Sequence, residues 1–276
     1  MRIRKEIKEK FYGIYNVLSF FKMYKLPISE IINDRKKIKL LEKKYEGKRC
    51  FIIGNGPSLT PGDLQMLRNE FCFAANRIYE MYEKTEWRPT FYTIQDIYVA
   101  DEFENSIINA MEESEISFIR QTLDKKLNPL KKDCVIGIPI WSRLRKDGSR
   151  PFSNNLQKFA FDGATVTYLS MQLASYLGFK EIYLLGVDHS FPYEIDENGE
   201  IKLVDNTISA HFFETENDKI STHMRANNRI KVTRAYESAE KASKTGGFRI
   251  YNATRGGKLE VFERVVLEEI LKREHE

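Results

Sequence analysis

Arg49-Cys50-Phe51-Ile52-Ile53-Gly54-Asn55-Gly56-Pro57-Ser58 reads as a short buried strand that runs straight into a glycine-rich turn. An apolar run of this length, closed by Gly, is the pattern of a strand covered on both faces. Gly54 and Gly56 allow the backbone to approach a ligand closely. Pro57 pre-sets φ, and Ser58 or Thr60 can cap a helix starting near Pro61 or Gly62. The backbone amides of such a turn are expected to cradle phosphate. The spacing is neither that of a dinucleotide fingerprint nor that of a Walker loop, because no Lys follows the second Gly. A tight turn would need only the glycines. Asn55 between them points to a ligand.

Outward from this segment, strand-like runs lie at 71–75, 91–95, 116–119, 134–138, 181–186 and 248–251. Helical periodicity separates most of them, at 61–68, 77–84, 98–112, 164–177, 231–245 and 258–273. The alternation predicts an α/β, Rossmann-like domain over residues 48–276, a mostly parallel sheet with helices on both faces. Ligands of such sheets sit beyond the carboxyl ends of the strands. Three successive strand ends there carry Asn55, Asn76, and Gln95 with Asp96. Each could be a helix cap, but together they suit a ribose, base or sugar. The run at 181–186 ends in Gly186-Val187-Asp188-His189-Ser190. On an extended chain Asp188 and His189 point to opposite sides, so one of them faces the ligand. Asp188 could orient an imidazole or bind a metal; His189 could act as a base or merely close a turn. His211, beyond a polar loop, could take a proton from an acceptor hydroxyl near neutral pH. Arg255, beside Gly256 and Gly257, suits a phosphate or carboxylate, or a solvated turn.

The chain has 276 residues, 42% of them hydrophobic and 30% charged, a composition of soluble proteins. No apolar run reaches the eighteen residues of a membrane span, and the start lacks the apolar core of a secretory signal. Cys50, Cys72 and Cys134 are far apart and form no Cys-x-x-Cys pair, which predicts reduced thiols, no structural zinc and a cytoplasmic location. The net charge of +4 is unevenly spread: residues 1–49 hold 15 Lys/Arg against 6 Asp/Glu, and the remainder 29 against 34. A basic segment attached to an acidic body argues against nucleic acid as a partner.

Residues 1–47 read as a basic, amphipathic helical arm. Ile7, Phe11, Ile14, Tyr15, Leu18 and Phe21 recur every three to four residues, with lysines at either end. Such a face over residues 1–25 suits an anionic membrane, which would make the protein peripheral at the inner face. Alternatively it packs on the body or on a second copy, giving a homo-oligomer. A second helix, about 29–45, ends at Gly47.

Two stretches carry a resemblance: Ile52-Ile53-Gly54-Asn55-Gly56-Pro57-Ser58-Leu59, and Gly178-Phe-Lys-Glu-Ile-Tyr-Leu-Leu-Gly186-Val187-Asp188. They resemble the bacterial sialyltransferases of glycosyltransferase family forty-two. More completely, the chain is similar to the neighbouring family named for archaeal 6-hydroxymethylpterin pyrophosphokinase. Gly163-Ala164-Thr165-Val166, Gly186 to Ser190, His211-Phe212 and Asn252 to Gly257 carry that similarity, over about residues 48–265. Bacterial members include flagellin-modifying nonulosonate transferases and proteins of surface-polysaccharide loci. The resemblance implies that Gly54–Ser58, Asn76 and Gly163-Ala164-Thr165 bind nucleotide, and that His211 is the catalytic base. Where the sialyltransferases hold the leaving phosphate with two tyrosines, this chain has Tyr193 and Ser190. Where they carry Ser-Gly before the long helix, it has Gly163-Ala164-Thr165.

These readings lead to a glycosyltransferase that uses a nucleotide-activated sugar, expected to be CMP-linked and acidic, with a glycan or lipid-linked acceptor. No metal or other cofactor is required in that scheme. Arg255, Tyr193 and loop amides would stabilise the leaving phosphate. The second reading is a pyrophosphokinase moving diphosphate from ATP to a pterin alcohol, with Mg²⁺ on Asp96 and Asp188. The third is a binding protein on the same fold without catalysis.

Overall fold

Each strand of the alternating pattern returns to one sheet in the same direction, with a helix or loop crossing over a face. The computed structural model describes residues 28–130, 132–142, 150–190, 193–195, 201–203 and 222–273. Its helices are α1 (Ile28–Leu40), α2 (Pro61–Met66), α3 (Ile97–Glu102), α4 (Glu104–Glu112), α5 (Asp124–Leu127), α6 (Val166–Leu177), α7 (Thr222–Gly246) and α8 (Leu267–Lys272). The central strands are β1 (Arg49–Ile53), β2 (Cys72–Ala75), β3 (Phe91–Ile94), β4 (Ile116–Arg120) and β5 (Val135–Ile138). Short strands β6 (Ile140–Trp141) and β7 (Ala160–Phe161) pair beside them. There follow β8 (Glu181–Leu185), the antiparallel pair β9 (Tyr193–Ile195) and β10 (Ile201–Leu203), then β11 (Arg249–Asn252) and β12 (Glu263–Arg264).

Eight strands form one sheet in the order β12-β11-β8-β1-β2-β3-β4-β5, with every neighbouring pair parallel. The fold is α/β and Rossmann-like. Strand β1 lies at its centre, with Phe51 opposite Cys72 of β2 on one side and Tyr183 of β8 on the other. Period-two alternation sends Cys50 and Ile52 into the core beneath α1, α6 and α7. Phe51 and Ile53 enter the second core, beneath α2, α4 and α8. A strand buried on both faces has no polar position to give, which explains its uninterrupted apolar run.

Helix α1 is part of the domain and not of an arm ahead of it. Ile38, Leu41 and Tyr45 are buried, and the Tyr45 ring stacks on Phe179 at 5.1 Å. The turn after α1 is tied down by Lys43 N–H to Tyr176 O at 3.0 Å and Tyr45 N–H to Leu177 O at 2.9 Å. The expected boundary at 47/48 therefore falls inside a packed unit. Amphipathic spacing announces a buried face but not what buries it. The first helix of the expected arm, residues 1–25, lies outside the described residues.

Several boundaries also differ from the sequence expectation. The helix expected over 98–112 is two, broken at Phe103. The one over 77–84 is a 3₁₀ segment, Asn76–Met81. Of 258–273 only α8 is helical, because Gly256 and Gly257 both take positive φ and the chain first adds β12 to the sheet. Among the described residues no helix is long and apolar enough to cross a membrane.

Candidate functional site

The strand order reverses between β1 and β8: β2 to β5 run outward on one side, β8, β11 and β12 on the other. Where an open parallel sheet switches direction, the loops leaving the two central strands separate and open a crevice. Here those loops are Gly54–Ser58 and Gly186–Ser190.

The two loops are interlocked. Gly54 N–H donates to Leu185 O at 2.8 Å and Gly56 N–H to Gly186 O at 2.9 Å, extending the β1–β8 ladder beyond the strands. Ser58 Oγ donates to Asp188 Oδ2 at 2.8 Å, and the Ser58 amide also bonds that carboxylate. Only glycine fits at position 56, where a Cβ would stand 1.8 Å from Asp188 Oδ2. A Cβ on Gly54 would meet Gly186 O at 2.3 Å. These contacts narrow the expected phosphate cradle to the amide of Asn55. The amides of Gly54, Gly56, Ser58 and Leu59 are all engaged within the protein, and Pro57 has none.

What the loop does present is an acceptor. Asn55 Nδ2 donates to Ala75 O at 3.0 Å at the end of β2, and this leaves its Oδ1 buried without a partner. Asn76, at φ 51°, also buries an unpartnered Oδ1, and Tyr92 Oη bonds its carbonyl at 2.6 Å. Gln95 is only 9% exposed and buries an unpartnered Oε1. Three carbonyl oxygens without donors thus follow β1, β2 and β3. Neighbouring strands are about 4.8 Å apart, so the row spans roughly 10 Å. A buried acceptor left unsatisfied costs about 1–3 kcal/mol, and a cluster of them calls for a donor from outside.

Asp188 is buried, and the loss of water raises its pKa above the ordinary carboxylate value despite the bonds from Ser58. His189 turns the other way. At φ 52° it leaves the crevice and bonds Thr233 Oγ1 of α7 through Nε2 at 2.9 Å. Burial, and then the nearby Arg229 charge, push its pKa down to about 4, so the ring is neutral at pH 7. Sequence adjacency places these two on opposite sides, and so does the structure.

Other expected site residues have structural partners. Arg255 pairs with buried Asp63 and, at 2.7 Å, with Glu268, which ties α2 and α8 to the loop after β11. Asp96 caps α3, its Oδ1 accepting from the amides of Tyr98 and Val99. The ends of β3 and β8 are three strand spacings apart, roughly 14 Å. Asp96 and Asp188 therefore cannot share one ion, and magnesium held by this pair does not fit. Among the described residues no three or more metal-ligating side chains lie together. His211 and the Tyr193 side chain lie outside the described residues.

Gly163-Ala164-Thr165 leads into α6. Gly163 has no room for a Cβ, which would meet Tyr168 at 2.4 Å, and Ala164 takes φ 60°. Thr165 caps the helix by accepting from Thr167 N–H. The far end of α6 lies at the amino edge of the sheet, where Lys180 N–H bonds Lys48 O. Its Ser170 hydroxyl meets Thr93 of β3 at 3.1 Å. The helix start therefore projects past the carboxyl edge, toward the crevice. Sequence reasoning missed the network behind this edge, in which Thr254 Oγ1 accepts from Val187 N–H and Asn252 Nδ2 donates to Leu259 O. Asn and Thr two residues apart after a strand was the available signal.

No curated protein matches the chain. Among solved structures, the MAf glycosyltransferase from Magnetospirillum magneticum AMB-1 aligns over 87% of this chain at 14% identity and a TM-score of 0.48. The aligned chain spans 39% of that protein's length. A family model described as 6-hydroxymethylpterin diphosphokinase MptE-like matches residues 27–194, more than half of the sequence. The match begins at 27 rather than 48, in agreement with α1 being built into the core. With the crevice loops, the three strand ends and α6 all inside the matched segment, the chain belongs to the MptE-like family.

Proposed function

We propose that the crevice binds a nucleotide and that the protein is a transferase, specifically a glycosyltransferase using a nucleotide-activated, CMP-linked acidic sugar for surface glycan or polysaccharide synthesis. The observation that carries this reading is the row of buried, donor-less carbonyl oxygens of Asn55, Asn76 and Gln95. A nucleoside brings ribose hydroxyls and, in cytosine, an exocyclic amine: donors for every one of them. Phosphate oxygens are acceptors and are repelled from that row. The phosphate instead faces the start of α6, where the helix dipole favours an anion.

In this scheme His211 removes the proton from the acceptor hydroxyl, which attacks the anomeric carbon as the phosphate departs. The start of α6 takes the role first expected of Arg255, which is held by Asp63 and Glu268. The family name motivates a second reading, diphosphate transfer from ATP to a pterin alcohol. Magnesium would there supply charge neutralisation across the phosphates.

A thermal-shift panel of CMP, CMP-sialic acid, UDP-sugars and ATP, each with Mg²⁺ or EDTA, tests the choice. CMP compounds are expected to stabilise the chain in either medium, and turnover should persist in EDTA. His211→Ala is expected to lose about 10²–10⁴-fold in turnover with CMP binding intact. Stabilisation by ATP alone, and only with Mg²⁺, would replace this reading with the diphosphokinase. A flat panel would leave a binding protein.

A further inference from the structure

On the far side of the Gly186–Ser190 loop, α7 and the segment 258–261 line an open groove of about 590 Å³. That is within the usual range of small-molecule sites, about 300–1,000 Å³. We propose that this groove is the subsite of the second substrate, and that it takes a saccharide carrying an anionic group, carboxylate or phosphate. The proposal rests on the nucleotide reading of the crevice, because it gives the groove the other half of the same transfer.

Position is the first support. The groove ends at His189, one residue from the Asp188 that bonds Ser58 of the nucleotide loop. A single strand end therefore sends adjacent side chains into two neighbouring spaces. The arrangement is held at a cost, since His189 is a non-glycine residue in the left-handed region, a kind of strain that collects at functional sites. Thr233 donates its one hydroxyl proton to Arg229 O at 2.9 Å, so its Oγ1 accepts from His189 Nε2–H. That bond fixes the imidazole tautomer at the end of the groove. The opposite wall is fastened to the same loop: Lys258 N–H bonds Asp188 O at 2.7 Å, and a Cβ on Gly257 would come 2.7 Å from that oxygen.

Charge is the second support. Thr233, Glu237, Lys241 and Lys244 follow one stripe of α7 at helical spacing and line the groove. Lys244 is paired with Glu240 at 3.1 Å, and Glu260 with Arg264 at 2.6 Å. Lys241 and Lys258 have no such partner among the described residues, and the unmatched acid beside them is Glu237. Two ammonium groups against one carboxylate favour an anion. Val261 adds apolar surface suited to the C–H face of a sugar ring.

Saturation-transfer NMR on the full-length protein with glucuronic acid, glucose 6-phosphate and glucose tests this. The two anionic sugars are expected to bind, and their relative strengths identify the preferred anion; glucose should bind at least tenfold more weakly. Lys241→Glu with Lys258→Glu, both on exposed side chains, should weaken the anionic sugars at least tenfold while CMP binding stays unchanged. Glucose binding as well as its acids, or a double variant without effect, overturns the proposal. If instead the anionic sugars bind through these lysines while every nucleotide fails, the groove stands as a saccharide site and the nucleotide reading falls.

Discussion

Gln95 carries its amide into the carboxyl edge of the sheet and leaves the carbonyl oxygen without a donor. A group kept there only for the protein's own stability would be better apolar, which makes the residue diagnostic. Gln95→Leu keeps the volume and removes the orphan. It is expected to stabilise the ligand-free protein by about 1–2 kcal/mol, seen as a higher urea midpoint, while weakening nucleotide at least tenfold. A loss of stability without change in affinity would make the side chain part of the core. The sequence marks Asn55, Asn76 and Gln95 as candidates because they are polar side chains at three successive strand ends, and the structure adds that each buries an oxygen without a donor. Arg255 and Asp96 carry the same signal in sequence, yet both find partners within the protein. Their true partners, Asp63 and the amides of α3, come from local geometry that residue type does not reveal. The reverse holds for the Gly54–Ser58 turn. Its glycines were read as making space for a ligand, whereas at position 56 the space is taken by Asp188.

Among the elements, the long apolar strands were recoverable from sequence because burial on both faces leaves one kind of residue. Two-residue strands such as β6, β7 and β12 carry no period to detect. Helix α1 was recognised, but its role was not. Tyr45 sits against Phe71, Phe91 and Phe179 within 5.4 Å, a cluster from four parts of the chain that no local pattern shows. Tyr45→Ala is accordingly expected to cost about 3 kcal/mol in urea unfolding. A change under about 1 kcal/mol would return α1 to the status of an appendage. The polar stripe of α7 was also hidden, since Thr233, Glu237 and Lys241 look like an ordinary solvated face until the 258–261 segment is laid across them.

For the whole molecule, charge is divided more finely than a basic arm on an acidic body. Of the +9 on residues 1–49, +5 belongs to residues 1–27 and +4 to 28–49, which is fixed to the core by α1 and β1. If the aromatic face at the start of the chain holds the protein on anionic membranes, the intact chain should float with phosphatidylserine vesicles. One starting at Ile28 should stay in the pellet fraction at physiological salt. Equal flotation of both would move the contact to the folded body. The switch point has a consequence of another kind. Strand β1 meets β2 soon after both are made, but its neighbour on the other side, β8, lies about 130 residues later. At about 5–20 residues per second a ribosome needs roughly 7–26 s to deliver it. Through that interval the nascent half-sheet exposes the apolar edge that will later carry the crevice, so the birth of this protein is the moment at which a chaperone has most to protect.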